Sequence, residues 1–234
     1  MLVGGAWLYV SAEAEQAAEA ERIALESARM AQQVAEARLR MLEAQIEPHF
    51  LFNTLAHVQR LYETDRANGA RMLRSLKAYL GIALPQMRET ESTLRREIAH
   101  VTAYLDIQGI RMGRRLAYGV DIPEALRDAP VPPLMLLTLV ENAVKHGLAP
   151  SRAGGRIDVS ASIADGRLRI QVADTGEGFA TSAGGGTGLA NIRARLRARF
   201  AGAASLQLSL NAPRGVVATL CVPHPGSSAP AVTA

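Results

Sequence analysis

Cysteine and aromatic residues are scarce in this chain, and their scarcity excludes several kinds of protein. The single cysteine, Cys221, excludes an internal disulfide framework and a cysteine-rich metal site. It stands in an apolar run at 216–222, which predicts a buried small residue in a reducing compartment. Phe, Trp and Tyr make up 4% of the residues, whereas 48% are hydrophobic. The core must therefore consist mainly of Leu, Val, Ile and Ala, and 234 residues allow one large domain or two small ones.

The chain also lacks a strong excess of charge. Its formal net charge is +4, and the basic residues are spread along helical stretches without interleaved aromatic side chains. This pattern argues against direct nucleic-acid binding. It leaves open an attraction to an anionic membrane surface, where each basic residue contributes roughly 1 kcal/mol.

The apolar N-terminal stretch, residues 1–10, is too short to span a membrane, which takes about 20 residues. No positively charged region precedes it, as a signal peptide would require. Two interpretations remain: a soluble N-terminus, or the end of a transmembrane helix. We favour the second, because a charged helix without a break follows, as in a juxtamembrane coil.

From residue 11 to residue 45 the chain has no Gly or Pro and is rich in helix-forming residues, which predicts one long helix. Small or flexible side chains recur at steps of four and three and form a heptad seam: Ile23, Ser27, Met30, Val34, Ala37, Met41 and Ala44. The seam fits a parallel dimeric coiled coil that carries a signal, or a single amphipathic helix packed on its own domain. We favour the dimeric coil over residues 11–44.

Residues 45–112 predict a second helical segment. One helical run covers about 67–84, bounded by Asn68-Gly69 and Pro85, and another covers 94–111. The coiled segment and the first run suggest a helical hairpin, which gives four helices in a dimer.

The helix at 94–111 begins with a capping-box pattern. The hydroxyl of Thr93 or Ser92 can accept a hydrogen bond from an orphan backbone N–H there. Glu97 places an acid in the first turn, where the helix dipole favours it. These residues predict a well-defined helix start.

After Gly113 the pattern changes to that of a mixed α/β segment. Alternating apolar residues predict five strands, at residues 116–122, 157–163, 168–173, 206–210 and 216–222. The pair Asp165-Gly166 between two of them is a hairpin signal. These features indicate a sheet over residues 113–224.

Two helices are expected among these strands. The first covers 133–146, with Pro133 at its start and Gly147 at its end, and the second covers 189–200 after a glycine cluster. The fold class is therefore α+β: a helical hairpin followed by an α/β sandwich with a mixed sheet and helices on one face. The Pro/Ser/Ala-rich residues 225–234 predict a disordered tail.

One candidate nucleotide site begins at a strand end, in the run Asp-Thr-Gly-Glu-Gly at 174–178. An ionised Asp174 can accept a hydrogen bond from the exocyclic amine of adenine. Gly176 and Gly178 allow the backbone to approach a ligand without a side-chain clash. Alone, such a turn is more often a plain loop than a site.

Two further segments complete the candidate site. A glycine group leads into the last helix and offers unblocked amides to phosphates: Gly186, Thr187, Gly188 and Leu189. On the apolar helix, Asn142 offers a neutral oxygen suited to Mg²⁺. Lys145 and His146 follow at three and four residues, so they are expected on the same face, near phosphate oxygens. The order and spacing of the three segments favour a nucleotide site over unrelated loops.

These segments resemble the N, G1 and G2 boxes of the Bergerat-type (GHKL) ATPases, which include gyrases, Hsp90-like chaperones, MutL and histidine kinases. The run Ala-Gln-Ile-Glu-Pro-His-Phe-Leu-Phe-Asn-Thr-Leu at 44–55 closely resembles the phosphoacceptor motif of LytS-type sensor histidine kinases. Supporting matches are the runs at 94–98, 104–107 and 139–147. The resemblance covers residues 38–223, and its Pro-His-Phe-Leu-Phe-Asn core is specific.

The resemblance implies autophosphorylation of His49 by ATP and Mg²⁺, followed by transfer to an aspartate of a response regulator, often of the LytTR DNA-binding type. It also implies a homodimer whose cytoplasmic domain is attached to the inner (plasma) membrane. A neutral imidazole is a competent nucleophile at cytoplasmic pH. Asn53, four residues from His49, is the candidate for orienting its ring. Phe50 follows His49 where many histidine kinases have an acid, so the general base is not identified.

Two alternatives are an ATPase of the same fold and a nucleotide-binding dimer without kinase activity. Gyrase- and Hsp90-like relatives place a water-activating glutamate one helical turn before the asparagine of the N box. That position here is Thr138, while Glu141 is rotated by about 100° on the helix. The substitution disfavours hydrolysis, and the intact boxes disfavour a binder without chemistry.

Overall fold

The computed structural model describes residues 19, 21–30, 32–33, 48–86, 89–178 and 187–224. The chain forms two compact units, Met1–Leu51 and Phe52–Ala234. In the first unit, the described residues between 19 and 33 are helical, as predicted, and nearly all are exposed. The predictions for residues 1–10 and 225–234, and most of the heptad seam, lie outside the described residues. No helix in the described part of the chain has the length and apolar character needed to cross a membrane.

Three helices follow in the described residues after 47: α1 (Pro48–Thr64), α2 (Arg66–Gln86) and α3 (Leu94–Met112). The predicted boundary of α2 at Asn68-Gly69 is wrong, because the pair lies inside the helix. Asp65 stands before α2, and its Oδ1 accepts the Asn68 backbone N–H at 3.1 Å. A Cβ atom at Gly69 would lie 2.9 Å from the Tyr62 ring, so the glycine allows α1 and α2 to pack closely.

The end of α2 also differs slightly from the prediction, whereas the start of α3 agrees with it. Pro85 lies within the last turn of α2 and does not stop the helix before it. At α3, the Thr93 hydroxyl accepts the Arg96 backbone N–H at 3.4 Å, as the capping pattern predicts. The Ser92 hydroxyl instead accepts a hydrogen bond from the side chain of Gln86 at 3.0 Å. Thr93 is therefore the capping residue.

A five-stranded mixed sheet forms the second half of the chain. Its strands are β2 (Leu116–Asp121), β4 (Gly155–Ala164), β5 (Arg167–Asp174), β6 (Ser205–Leu210) and β7 (Val216–Pro223). Their order is β2-β4-β5-β7-β6, with β2 and β4 parallel and the other pairs antiparallel. The predicted strands and the α+β class are confirmed. The Asp165-Gly166 hairpin is confirmed as well, with φ of 52° and 69°, the left-handed conformation of a tight hairpin turn.

A second, two-stranded sheet was not predicted. It pairs β1 (Ser92–Thr93) with β3 (Pro130–Val131) in antiparallel register. It joins the segment before α3 to the segment before the next helix, and two-residue strands carry too little periodicity to be recognised in a sequence.

Helices cover one face of the large sheet, as predicted. The face is lined by buried aliphatic side chains of β4, β5 and β7: Ile157, Val159, Ala161, Leu168, Ile170, Val172, Ala218, Leu220 and Val222. Helix α3 contacts β2, α4 (Met135–Asn142) contacts β5, and α5 (Thr187–Phe200) contacts β6. Cys221, predicted to be buried, is only half-buried, because the alternation of β7 turns it away from the helices.

The helix predicted at 133–146 is displaced at both ends. Pro133 lies before the helix, because the next residue, Leu134, has a φ of 64° and breaks helical geometry. At the other end α4 continues as a π-helical turn, Ala143–Leu148, in which the Ala149 backbone N–H donates to the Val144 carbonyl at 2.8 Å. Gly147, predicted to end the helix, therefore lies inside this turn.

Candidate nucleotide-binding site

The Asp174 carboxylate stands at the end of β5, where it is 4% exposed. Its Oδ1 accepts the Gly176 backbone N–H at 2.8 Å. Burial raises the pKa of Asp174, and backbone hydrogen bonds from Gly176 and Val216 partly oppose this effect. A desolvated carboxylate held by the backbone is a rigid acceptor, suited to an amine donor such as that of adenine.

Gly147 forms the floor beneath this carboxylate. A Cβ atom at Gly147 would lie 2.7 Å from Asp174 Oδ1, and one at Gly176 would lie 2.2 Å from the Gly147 carbonyl oxygen. The Glu177 backbone N–H also donates to that carbonyl, at 3.1 Å. Only residues without a Cβ fit here, so the turn at 174–178 packs directly on the π turn after α4. Gly178 has a φ of 83°, which also favours glycine.

Two residues that the sequence did not single out hold Asp174 from the other side. Asn211 Nδ2 donates to the Asp174 backbone carbonyl at 2.8 Å. A Cβ atom at Gly215 would lie 1.9 Å from the same oxygen, and Gly215 has a φ of 109°. The turn between β6 and β7 thus fixes the end of β5. Its Asn and Gly carry turn signals only, and nothing in the sequence links them to Asp174.

Asn142, at the end of α4, lies next to the start of α5. A Cβ atom at Gly188 would lie 3.8 Å from Asn142 Nδ2 and 3.1 Å from Thr138 Cγ2. Asn142 Nδ2 is buried and makes no hydrogen bond to the residues that the structure describes. The oxygen and nitrogen of the amide exchange places by a rotation about χ2. An amide end without a partner beside Gly188 can therefore serve as a metal ligand or as a hydrogen-bond donor to a phosphate. The structure therefore brings the asparagine box and the second glycine box together.

The remaining predicted site residues are less closely grouped. Lys145 and His146 lie in the π turn and are exposed, whereas Asn142 is half-buried, because the π turn changes the register that an α-helix would have. Leu189 is half-buried on α5. Gly186 and the side chain of Thr187 lie outside the described residues. The roles of these residues stay predictions.

The phosphoacceptor candidate lies in the first turn of α1. The helix begins at Pro48, a position where proline's missing N–H costs nothing, and His49 follows with an exposed side chain. Asn53 is half-buried one turn later. An exposed imidazole at a helix start is accessible to a phosphate donor.

Two family models match this chain. Residues 37–116 match the family model described as histidine kinase, and residues 132–226 match that of histidine kinase-, DNA gyrase B- and HSP90-like ATPases. The sensor protein LytS of Oceanobacillus iheyensis is 33% identical over 155 residues, 66% of this chain and 26% of that protein. The sensor histidine kinase/phosphatase LytS of Staphylococcus aureus is 30% identical over 186 residues, 74% of this chain and 32% of that protein.

The chain thus spans about a quarter to a third of the length of these relatives. Among solved structures, the histidine kinase domain of a blue-light activated histidine kinase from Erythrobacter litoralis is similar. It is 17% identical with a TM-score of 0.46, and the match covers 85% of this chain and 94% of that one. Both family models describe histidine kinases, so the chain belongs to the histidine kinase family, and the relatives to which it is similar are LytS sensor proteins.

Proposed function

We propose that this chain is the kinase part of a two-component sensor, which transfers a phosphoryl group from Mg-ATP to His49. The observation that carries the proposal is the packing of Asp174 on Gly147 and of Gly188 beside Asn142. This packing supports a single site with a hydrogen-bond acceptor for adenine (Asp174), an amide suited to Mg²⁺ (Asn142) and the N-terminus of α5. The resemblance of the run at 44–55 to a phosphoacceptor motif supports His49 as the residue that accepts the phosphoryl group.

The nucleotide binds along this site in a defined direction. Ionised Asp174 accepts the exocyclic amine of adenine, and the glycine backbone at 176–178 lies against the base. The phosphates reach the N-terminus of α5, where backbone N–H groups and the helix dipole attract anions. Asn142 would hold Mg²⁺, which would neutralise charge on the phosphate oxygens.

The reaction is an in-line displacement at the γ-phosphorus. A ring nitrogen of His49 forms the new P–N bond while the bond to the bridging oxygen of ADP breaks, and ADP leaves with that oxygen's electron pair. The other ring nitrogen then loses its proton to solvent, which leaves a neutral imidazole ring bonded to the anionic phosphoryl group. Asn53 is proposed to orient the ring.

A kinase is favoured over a hydrolase by the residue at the water-activating position. Thr138 occupies it, and its hydroxyl donates to the Leu134 carbonyl at 2.9 Å within α4. A hydroxyl cannot deprotonate water as a carboxylate does, and this one is already engaged. A water molecule that competes with His49 for the γ-phosphate would therefore find no general base at position 138.

The rest of the proposal concerns the assembled protein. We assign signalling to the segment predicted as a coil at 11–44, dimerisation and phosphate acceptance to residues 45–112, and catalysis to residues 113–224. A homodimer passes the phosphoryl group to an aspartate of a response regulator of the LytTR type. We also propose that the chain acts as a cytoplasmic part attached to the inner (plasma) membrane.

Incubation with γ-³²P-ATP and Mg²⁺ tests the reaction class. Acid-labile, alkali-stable label on the protein, lost in His49→Gln and in Asn142→Ala, is the expected result. Free phosphate without protein label would favour an ATPase. Bound nucleotide with neither product would favour a binder without chemistry.

A further inference from the structure

A buried polar junction lies where three helices meet, at the end of α2, the start of α3 and the start of α4. Its centre is Glu97, which is 1% exposed. Glu97 Oε1 accepts the Gln86 side-chain amide at 3.0 Å and the Leu134 backbone N–H at 3.0 Å. Glu97 Oε2 accepts the Leu136 backbone N–H at 3.4 Å. The sequence indicates only an acid in the first turn of its own helix.

The two backbone donors belong to the N-terminus of α4, not to the helix that carries Glu97. The first N–H groups of a helix have no partner inside it, and a carboxylate there is favoured by the helix dipole. The side chain of Leu134, the residue at the N-cap position, makes no capping hydrogen bond to these N–H groups. Glu97 therefore caps α4 from a neighbouring helix and helps to hold Leu134 at its positive φ of 64°.

Gln86 ties this cap to the helical hairpin. One amide group donates both to Glu97 and to the Ser92 hydroxyl, at 3.0 Å each. Its oxygen faces His100 Nδ1 at 3.1 Å. Because Gln86 is the last residue of α2, the end of the hairpin helix and the start of α4 share one carboxylate.

A contact from α5 reaches the same place. The Arg195 guanidinium donates to the Pro133 carbonyl at 3.0 Å, one residue before Leu134. Helix α5 begins at Thr187, in the glycine group expected to bind phosphates, and α4 ends at Asn142. The start of α4 is thus fixed from two helices, and α4 is only eight residues long.

We propose that Glu97 is a positioning residue for the nucleotide site: it sets the start of α4 and hence the place of Asn142, with Gln86 linking it to the hairpin. The inference rests on the proposed function, because it assumes that Asn142 contacts the nucleotide. Through this junction a shift at the end of α2 reaches the site that binds ATP.

The test measures Mg-ADP affinity by calorimetry on the purified chain. Glu97→Gln keeps the shape but replaces one oxygen with an NH₂ group that opposes N–H donors. We expect about fivefold weaker binding, the factor that a lost helix cap typically represents. Glu97→Asp, which keeps the charge and loses one methylene, should recover part of the affinity.

Two controls separate positioning from stability. Val101→Ala removes fully buried aliphatic volume from the same helix, so it lowers the melting temperature and should leave the affinity unchanged. Glu89→Gln removes an exposed carboxylate that pairs with Arg96. It should change neither the melting temperature nor the affinity for Mg-ADP. A Glu97→Gln chain that binds Mg-ADP like the wild type overturns the inference alone.

A wild-type chain that binds no Mg-ADP overturns the proposed function and the inference together. If neither Glu97 variant folds, hydrogen exchange on the wild type decides. Mg-ADP should slow exchange of the Leu134 and Leu136 amide protons, which Glu97 holds. Unchanged exchange at both amides in the bound protein would overturn the proposed role.

Discussion

Gly147 lies so close to Asp174 that a Cβ atom on it would stand 2.7 Å from the carboxylate oxygen Oδ1. The carboxylate is therefore positioned by the backbone of the π turn, which directly follows Asn142, the last residue of α4. The turn at 174–178 and the helical segment that carries Asn142 are thus in direct contact at Gly147.

Gly147→Ala should displace the Asp174 carboxylate and destabilise the fold. We expect a loss of about 1–3 kcal/mol in the free energy of unfolding, as for other overpacked cores, together with weaker Mg-ADP binding. Urea denaturation and calorimetry measure the two effects. Gly109→Ala on α3 is the matched control, since a Cβ there meets nothing within 4 Å. Equal behaviour of the two variants would contradict the contact.

Asp174→Asn separates recognition from stability. The amide cannot accept from the adenine amine as an ionised carboxylate does, so Mg-ADP affinity should fall by a factor of about 10 to 100, as for a lost hydrogen bond to a charged group. Because burial raises the pKa of Asp174, its ionised form costs stability as pH rises through that pKa. The variant should thus be as stable as the wild type at neutral pH. Wild-type affinity in this variant would refute the assigned role.

His100 makes folding depend on pH. Burial lowers the pKa of His100 to about 4, from an ordinary value of 6.5, so the folded state binds the proton less readily than the unfolded state. The contribution of the neutral His100 imidazole to the free energy of unfolding is fully present above pH 6.5. It is lost as the pH falls through about 4, and the full loss is about 3 kcal/mol. His100→Gln should flatten this part of the profile, measured by urea denaturation from pH 7.5 to pH 4.5. Parallel profiles for the two proteins would argue against a buried neutral imidazole.

Phe52 is a test of the proposed dimer. Its side chain on α1 is 48% exposed, so it is open to contact with a second copy of the chain. Phe52→Glu should shift the chain towards monomers in analytical ultracentrifugation, because it puts a charge into an apolar contact. Gln59→Glu, at another exposed position of α1, is the control. A Phe52→Glu chain with the dimer content of the wild type would speak against this face as the interface.

The strands of the catalytic domain could be predicted to within two residues, because a sheet covered on one face imposes a strict alternation. Along β5, Leu168, Ile170 and Val172 are buried, and their neighbours are half-exposed. The turn at Asp165-Gly166 was equally clear, since few residue pairs accept two positive φ angles. Local chemistry decided these features.

The π turn and the Glu97 junction could not be predicted, because distant partners decide them. Gly147 resembles a helix end in the sequence, yet the turn continues through it to meet Asp174, 27 positions later. Glu97 resembles an ordinary acid in a first turn, yet its backbone partners lie 37 and 39 residues away. A single sequence contains no local pattern for such contacts.

The central claim is that the phosphoryl group of ATP moves to His49. Peptide mapping by mass spectrometry at neutral to alkaline pH, after incubation of the wild-type chain with Mg-ATP, tests it most directly. The account predicts phosphate on the peptide that contains His49, at the imidazole, and none in a parallel sample of Asn142→Ala. Phosphate on any other residue, with His49 unmodified, would contradict it.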